Sequence, residues 1–222
     1  MNQIVAAGAV AALVFAGTAT AAPHKKGEAA HAVDKNAPAE MHAAAVVGQP
    51  APDFTLTDTD GNEVRLSDYS DKTVVLEWFN PDCPFVKKHH QKNKTMQSLY
   101  SEWKGDDVVW LAINSGAPGK QGHGVERNQK AKKDYGIEYP ILIDENGIVG
   151  RMYGAKTTPD MFVIQKGTLV YSGAIDDNRS TDELGKTNYV ADALTACTAG
   201  KTVATGETKS YGCSVKYGEA PL

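Results

Sequence analysis

The chain has 222 residues, 41% hydrophobic and 23% charged, a balance that supports a packed core in one domain plus a tail. Basic side chains number 23 against 27 acidic ones, a formal net charge of −4, so there is no dominant basic field to hold nucleic acid or an anionic membrane. Three cysteines are too few for a disulfide-built scaffold, but they suffice for one redox pair and one spare.

In chain order, residues 4–15 form the one long apolar run. It is short for a membrane span, which needs about 20 apolar residues. It suits the core of a signal peptide, and Ala19-Thr20-Ala21 supplies a small-x-small cleavage pattern, although Met1-Asn2-Gln3 lacks the usual Lys or Arg. The expectation is a signal peptide over residues 1–21 and an exported, periplasmic or extracellular product with no stable membrane span after processing. Residues 22–45 are rich in Ala, Lys, His, Glu and Pro with no apolar period, and read as a flexible linker. Its His24, His31 and His42 read as solvated linker side chains.

The folded domain is expected over residues 46–217. Short strands at 54–56 and 63–66 flank Asp60-Gly61-Asn62 and read as a hairpin. Residues 73–79 are apolar and β-branched, which suits a central strand covered on both faces. A helix is predicted over 84–103, a buried strand over 108–113, and a polar helix over 125–135. Residues 140–143 read as a third core strand and 148–153 as a short helix. Segments 161–164 and 168–172 form a hairpin around Gln165-Lys166-Gly167, a last helix covers 187–199, and an irregular tail follows. Alternating strands and helices imply parallel strands with an antiparallel edge, in a three-layer α/β/α architecture. Ligand chemistry in such folds collects where strands end and helices begin.

Cys83 falls at such a point. It follows the central strand by four residues and directly precedes Pro84, a good first helical residue. The unpaired N–H groups of a helix start, with Lys87 and Lys88 one turn on, favour a thiolate, the nucleophile toward disulfides and peroxides. Glu77, six residues earlier, is open to two readings: a buried proton relay behind the thiol, or a solvent-facing strand residue.

The segment from Thr73 through Cys83-Pro84-Phe85-Val86-Lys87-Lys88-His89 resembles the active-site segment of thioredoxin-fold proteins. It is most similar to the redoxin group related to alkyl hydroperoxide reductase and thiol-specific antioxidant proteins, in its exported, peroxiredoxin-like branch. Gly48-Gln49-Pro50-Ala51-Pro52-Asp53-Phe54 resembles the group's opening motif, and Lys156-Thr157-Thr158-Pro159 its cis-proline loop. The resemblance implies a thioredoxin-like three-layer α/β/α fold with a central mixed sheet and an N-terminal β-hairpin. It implies a thiol oxidoreductase, with Cys83 reacting with peroxide or disulfide and no cofactor needed. Asn80 would be an orienting donor, and Thr158 and Pro159 a substrate-facing backbone. An external thiol reductant or redox protein would recycle the site.

Departures from the family pattern sharpen this. The motif reads Asn80-Pro81-Asp82-Cys83, so a local Cys-x-x-Cys pair is absent. A peroxidase needs positive donors on the peroxide oxygens, yet Thr158-Pro159 stands where the family places its arginine, leaving Lys87, Lys88 or Arg151 as substitutes. Cys213, in Tyr211-Gly212-Cys213-Ser214, resembles the C-terminal segment of the same branch and is the resolving partner if the pair is redox-active; a permanent structural disulfide is the other reading. Cys197 reads as a packed small hydrophobe. An alternative from the binding class is a redox-inactive scaffold, or a copper carrier using Cys83 with His89 and His90.

Overall fold

The computed structural model describes residues 44–105 and 107–219. The expected signal peptide and nearly all of the expected linker lie outside the described residues. No helix among the described residues is long and apolar enough to cross a membrane.

Seven strands form one sheet in the order β2-β1-β5-β4-β3-β7-β8. Its centre is β3 (Thr73–Trp78), β4 (Val108–Asn114) and β5 (Ile141–Ile143), mutually parallel. The hairpin β1 (Thr55–Asp58) and β2 (Glu63–Arg65) adds antiparallel to β5. On the other side β7 (Met161–Gln165) runs antiparallel to β3 and pairs with β8 (Thr168–Gly173). This is the mixed, thioredoxin-like sheet that the sequence implied.

Side-chain alternation divides the core into two layers. Val75 on β3, Trp110 and Ala112 on β4, and Met161 and Val163 on β7 face one side. There they meet α2 (Thr95–Trp103), α3 (Val125–Tyr135) and α5 (Tyr189–Thr198) through Met96, Leu99, Ala131, Val190 and Leu194. Val74, Leu76 and Trp78, with Leu111, Ile113, Phe162 and Ile164, face the other side. There α4 (Ile148–Met152) covers them with Val149 and Met152. All six β3 residues are buried, as a strand covered on both faces requires.

Two expected elements differ. The helix over 84–103 is broken: α1 (Pro84–Lys87) is one turn, the chain widens into a π turn at Lys88–Lys92, and α2 restarts after Lys94 at φ 54°. Lys88, His89 and His90 are all buried, and three successive residues cannot share one helix face. Lys88 and His89 meet on the Tyr211 hydroxyl, and His90 turns to Glu77. The tail is not irregular throughout. β9 (Cys213–Ser214) pairs antiparallel with β6 (Thr157–Thr158) in a second, two-stranded sheet.

Candidate active site

The end of β3 is fixed by backbone bonds to both neighbours. Phe79 N donates to Ile113 O at 2.8 Å, and Trp78 N donates to Asp160 O at 2.9 Å. The chain then turns, with Cys83 N donating to Asn80 O at 3.1 Å. Asn80 shapes this turn with its side chain: Oδ1 accepts from Asp82 N at 2.9 Å and Nδ2 donates to Gln121 O at 3.4 Å. Gly122, at φ 78°, passes so close that a Cβ there would collide with the Asn80 amide. Both polar ends of Asn80 are therefore engaged with the loop. From α3, Tyr135 Oη donates to Pro81 O at 2.5 Å and Arg127 pairs with Asp82 at 2.5 Å.

Cys83 is the N-terminal cap residue of α1, with Pro84 at the first helical position as expected. Its side chain is fully buried, and Sγ donates to Thr158 O at 3.0 Å. The Thr158-Pro159 bond is cis. Thr158 is also the register partner of Cys213 across the β6–β9 pair. One residue thus brings the two cysteines together. Burial first, and then a hydrogen bond with Cys83, push the Cys213 thiol up to about 12. Cys213 is held protonated at neutral pH. Neither sulfur is bonded; Cys83, Cys197 and Cys213 are all free thiols. Cys197 is buried on α5, and burial raises its thiol too.

The segment that carries Cys213 is pinned on both sides. Upstream, Tyr211 is buried against Phe85 of α1, ring centroids 5.8 Å apart. Its hydroxyl donates to Asp176 Oδ1 and accepts from Lys88 Nζ at 3.1 Å. Lys88 also donates to Asn178 O at 2.6 Å and pairs with Asp176 at 3.5 Å. Burial and the adjacent Lys88 hold His89 down at about 3, so its ring is neutral, with Nε2 at 3.3 Å from the Tyr211 hydroxyl. Downstream, Val215 N donates to Lys156 O, and Tyr217 Oη donates to Ala155 O at 2.9 Å. The Arg151 guanidinium lies 4.5 Å over the Tyr217 ring and donates to Gly218 O at 2.7 Å.

These contacts correct several expectations. Lys88 and Arg151, considered as donors to peroxide oxygens, are committed to Asp176 and to the tail. Of the histidines considered for copper, His90 has Nε2 2.7 Å from Glu77 Oε1, and His89 faces Tyr211 through Nε2 while its Nδ1 is buried without a partner. Among the described residues no group of three His, Cys, Asp or Glu side chains is placed to hold a metal ion. Glu77 is buried rather than solvent-facing, and its second oxygen accepts from Tyr139 Oη at 3.0 Å. Sequence reasoning named the segment around Cys213 but missed Tyr211, Tyr217 and Asp176 as its supports, and Arg127 as a support of the turn before Cys83. The two tyrosines flanking Gly-Cys in a polar tail were the available signal.

Comparison with known proteins shows the family and the fold. A family model described as AhpC/TSA family matches residues 47–172. A thiol-disulfide oxidoreductase ResA from Geobacillus kaustophilus is 36% identical over 123 residues, 55% of this chain and 66% of that protein. An uncharacterized conserved protein of known structure, also from Geobacillus kaustophilus, is 31% identical with a TM-score of 0.68, covering 79% of this chain and 94% of that one. A hypothetical protein from Sinorhizobium meliloti is 30% identical with the same TM-score, covering 79% and 97%. The family match spans more than half of the chain and runs from the opening motif, through Cys83 and the cis-proline loop, to β8: the protein belongs to the AhpC/TSA family and has its thioredoxin-like fold.

Proposed function

We propose that the protein is a thiol-disulfide oxidoreductase whose redox pair is Cys83 and Cys213. The observation that carries this reading is the double use of Thr158, whose carbonyl accepts the Cys83 thiol and whose strand position faces Cys213. The name of the Geobacillus relative, a thiol-disulfide oxidoreductase, supports the same class of reaction.

The roles follow from position. Cys83 gives up to solvent the proton that its thiol donates to Thr158 O, and the resulting thiolate attacks one sulfur of a disulfide, forming a mixed disulfide and releasing a thiolate. Cys213 then gives up its proton, attacks Cys83 Sγ and expels the second thiolate, leaving a Cys83–Cys213 disulfide. An external thiol reductant or redox protein restores the two thiols. Asn80 fixes the turn that presents Cys83. Thr158 and Pro159 form the wall against which both sulfurs are held.

The sequence left peroxide and disulfide substrates open. The geometry supports disulfide exchange better, because two of the three candidate donors, Lys88 and Arg151, are engaged elsewhere and only Lys87 is left to charge a developing alkoxide. A hydroperoxide would oxidise Cys83 to a sulfenic acid, which would condense with Cys213 and release water. Export to an oxidising compartment is part of the proposal; it rests on the apolar run and small-x-small pattern at the start of the chain.

The test is a trap. Reduced Cys213→Ser protein, given one equivalent of a small disulfide, accumulates a mixed disulfide on Cys83 that intact-mass analysis detects and a thiol reductant removes. A Cys213→Ser protein whose Cys83 stays reduced would remove Cys83 from the attacking role.

A further inference from the structure

We propose that residues 210–218 are a built-in occupant of the polypeptide-binding edge beside Cys83, so that the docked strap favours low-molecular-weight disulfides over protein disulfides. The proposal rests on the thiol-disulfide reading above and deepens it by naming the substrate class.

An extended substrate chain joins a fold of this kind by pairing with an exposed strand edge. Beside Cys83 that edge is β6, and it is already taken. Thr158 pairs with Cys213, Thr157 pairs with Ser214, and the Lys156 carbonyl accepts from Val215 N. A protein segment carrying a disulfide would need these same backbone groups. Cys83 itself has no exposed surface, so every disulfide needs a local opening at the sulfur, but only an extended chain also needs the β6 edge.

The fit is close enough to be specific. Gly212 sits at φ 148°, and a Cβ there would collide with the Thr158 carbonyl. Any other residue would push the strap off the edge. The strap is held at its two ends by side chains, Tyr211 in the Lys88–Asp176 pocket and Tyr217 beneath Arg151, and between them by a two-residue ladder and two further backbone bonds, Val215 N to Lys156 O and Ala117 N to Lys216 O. It can therefore leave as a unit without opening the main sheet.

Docking also serves the second chemical step. With a small disulfide RSSR, the Cys83 thiolate forms Cys83–S–S–R and releases RS−. Cys213, still in register, transfers its proton to that thiolate, attacks Cys83 Sγ and expels the second RS−, which takes a proton from solvent. Two protein thiols are oxidised and one RSSR is reduced to two thiols. The contact that disfavours a large disulfide is the contact that holds the resolving sulfur in place.

The experiment isolates the first attack by working in the Cys213→Ser chain. Mixed-disulfide formation on Cys83 is timed with oxidised glutathione and with insulin, with and without Gly212→Ala. Losing two or three strap hydrogen bonds should raise the insulin-to-glutathione rate ratio at least about tenfold in Gly212→Ala. Arg151→Ala, which frees only the Tyr217 end, should raise it by about threefold or more and decides the matter if Gly212→Ala does not fold. A ratio unchanged in the folded variants overturns the strap proposal and leaves the oxidoreductase reading intact. Absence of any mixed disulfide on Cys83 with either oxidant overturns both.

Discussion

The two sulfurs of the site are held by different kinds of structure. Cys83 hangs from the rigid centre of the molecule: a six-residue strand buried on both faces leads into it, and backbone bonds from Phe79 and Trp78 fix the turn. Cys213 lies on a two-residue strand that belongs to no large sheet and is held by the side chains of Tyr211 and Tyr217. The first sulfur is placed by the core and the second by anchors that can be undone one at a time. Damage near Cys83 should therefore remove the chemistry, whereas damage near Cys213 should change its course.

The comparison can be broken most severely at the sulfurs. Cys83→Ser should lower thiol-disulfide turnover by about 1,000-fold or more, measured by thiol release from a small disulfide under excess reductant. Turnover near the native rate would shift the chemistry to another thiol. Next in size is the buried pair beneath the strap. Lys88→Met leaves the Asp176 carboxylate buried without its cation and should cost about 3–5 kcal/mol in denaturant unfolding.

Asp160 gives a pH signature. Burial raises its carboxyl to about 6, against the opposing pull of the Lys156 and Thr157 backbone N–H groups. The folded state thus binds this proton more tightly than the unfolded state does. The contribution is fully present below about pH 4 and is lost as pH rises through about 6. Native protein should lose about 2 kcal/mol across that window, and Asp160→Asn should flatten this part of the unfolding profile.

Tyr211→Phe keeps the ring against Phe85 but removes the hydroxyl shared by Lys88 and Asp176. A loss of about 1–2 kcal/mol is expected, with slower closure of the Cys83–Cys213 disulfide in a quenched alkylation time course. The smallest effect is expected at Arg127, whose pair with Asp82 is about a third exposed on each side and is screened by water. Arg127→Ala should cost under about 1 kcal/mol and leave the order of the chemical steps unchanged.

Much of the Cys83 side was legible in the sequence. The β-branched run 73–79 showed a strand covered on both faces, and Pro84 marked a helix start directly after Cys83. Thr158-Pro159 stood before a core strand. The break after α1 was not legible, because it comes from where Lys88, His89 and His90 find partners: Asp176, Tyr211 and Glu77 are 88, 122 and 13 residues away. The strap was not legible as structure because two residues of strand carry no alternation pattern, and its anchors lie in loops distant in sequence. Asn80 was read as an orienting donor, but its side chain is engaged with Asp82 and with the loop that the passage of Gly122 brings against it.

The most direct measurement is disulfide mapping of the native chain after one equivalent of a low-molecular-weight disulfide. The account predicts one intramolecular bond, Cys83–Cys213, with Cys197 still alkylatable after unfolding. A bond from Cys83 to Cys197, or a stable mixed disulfide on Cys83 with Cys213 left as a free thiol, would contradict it.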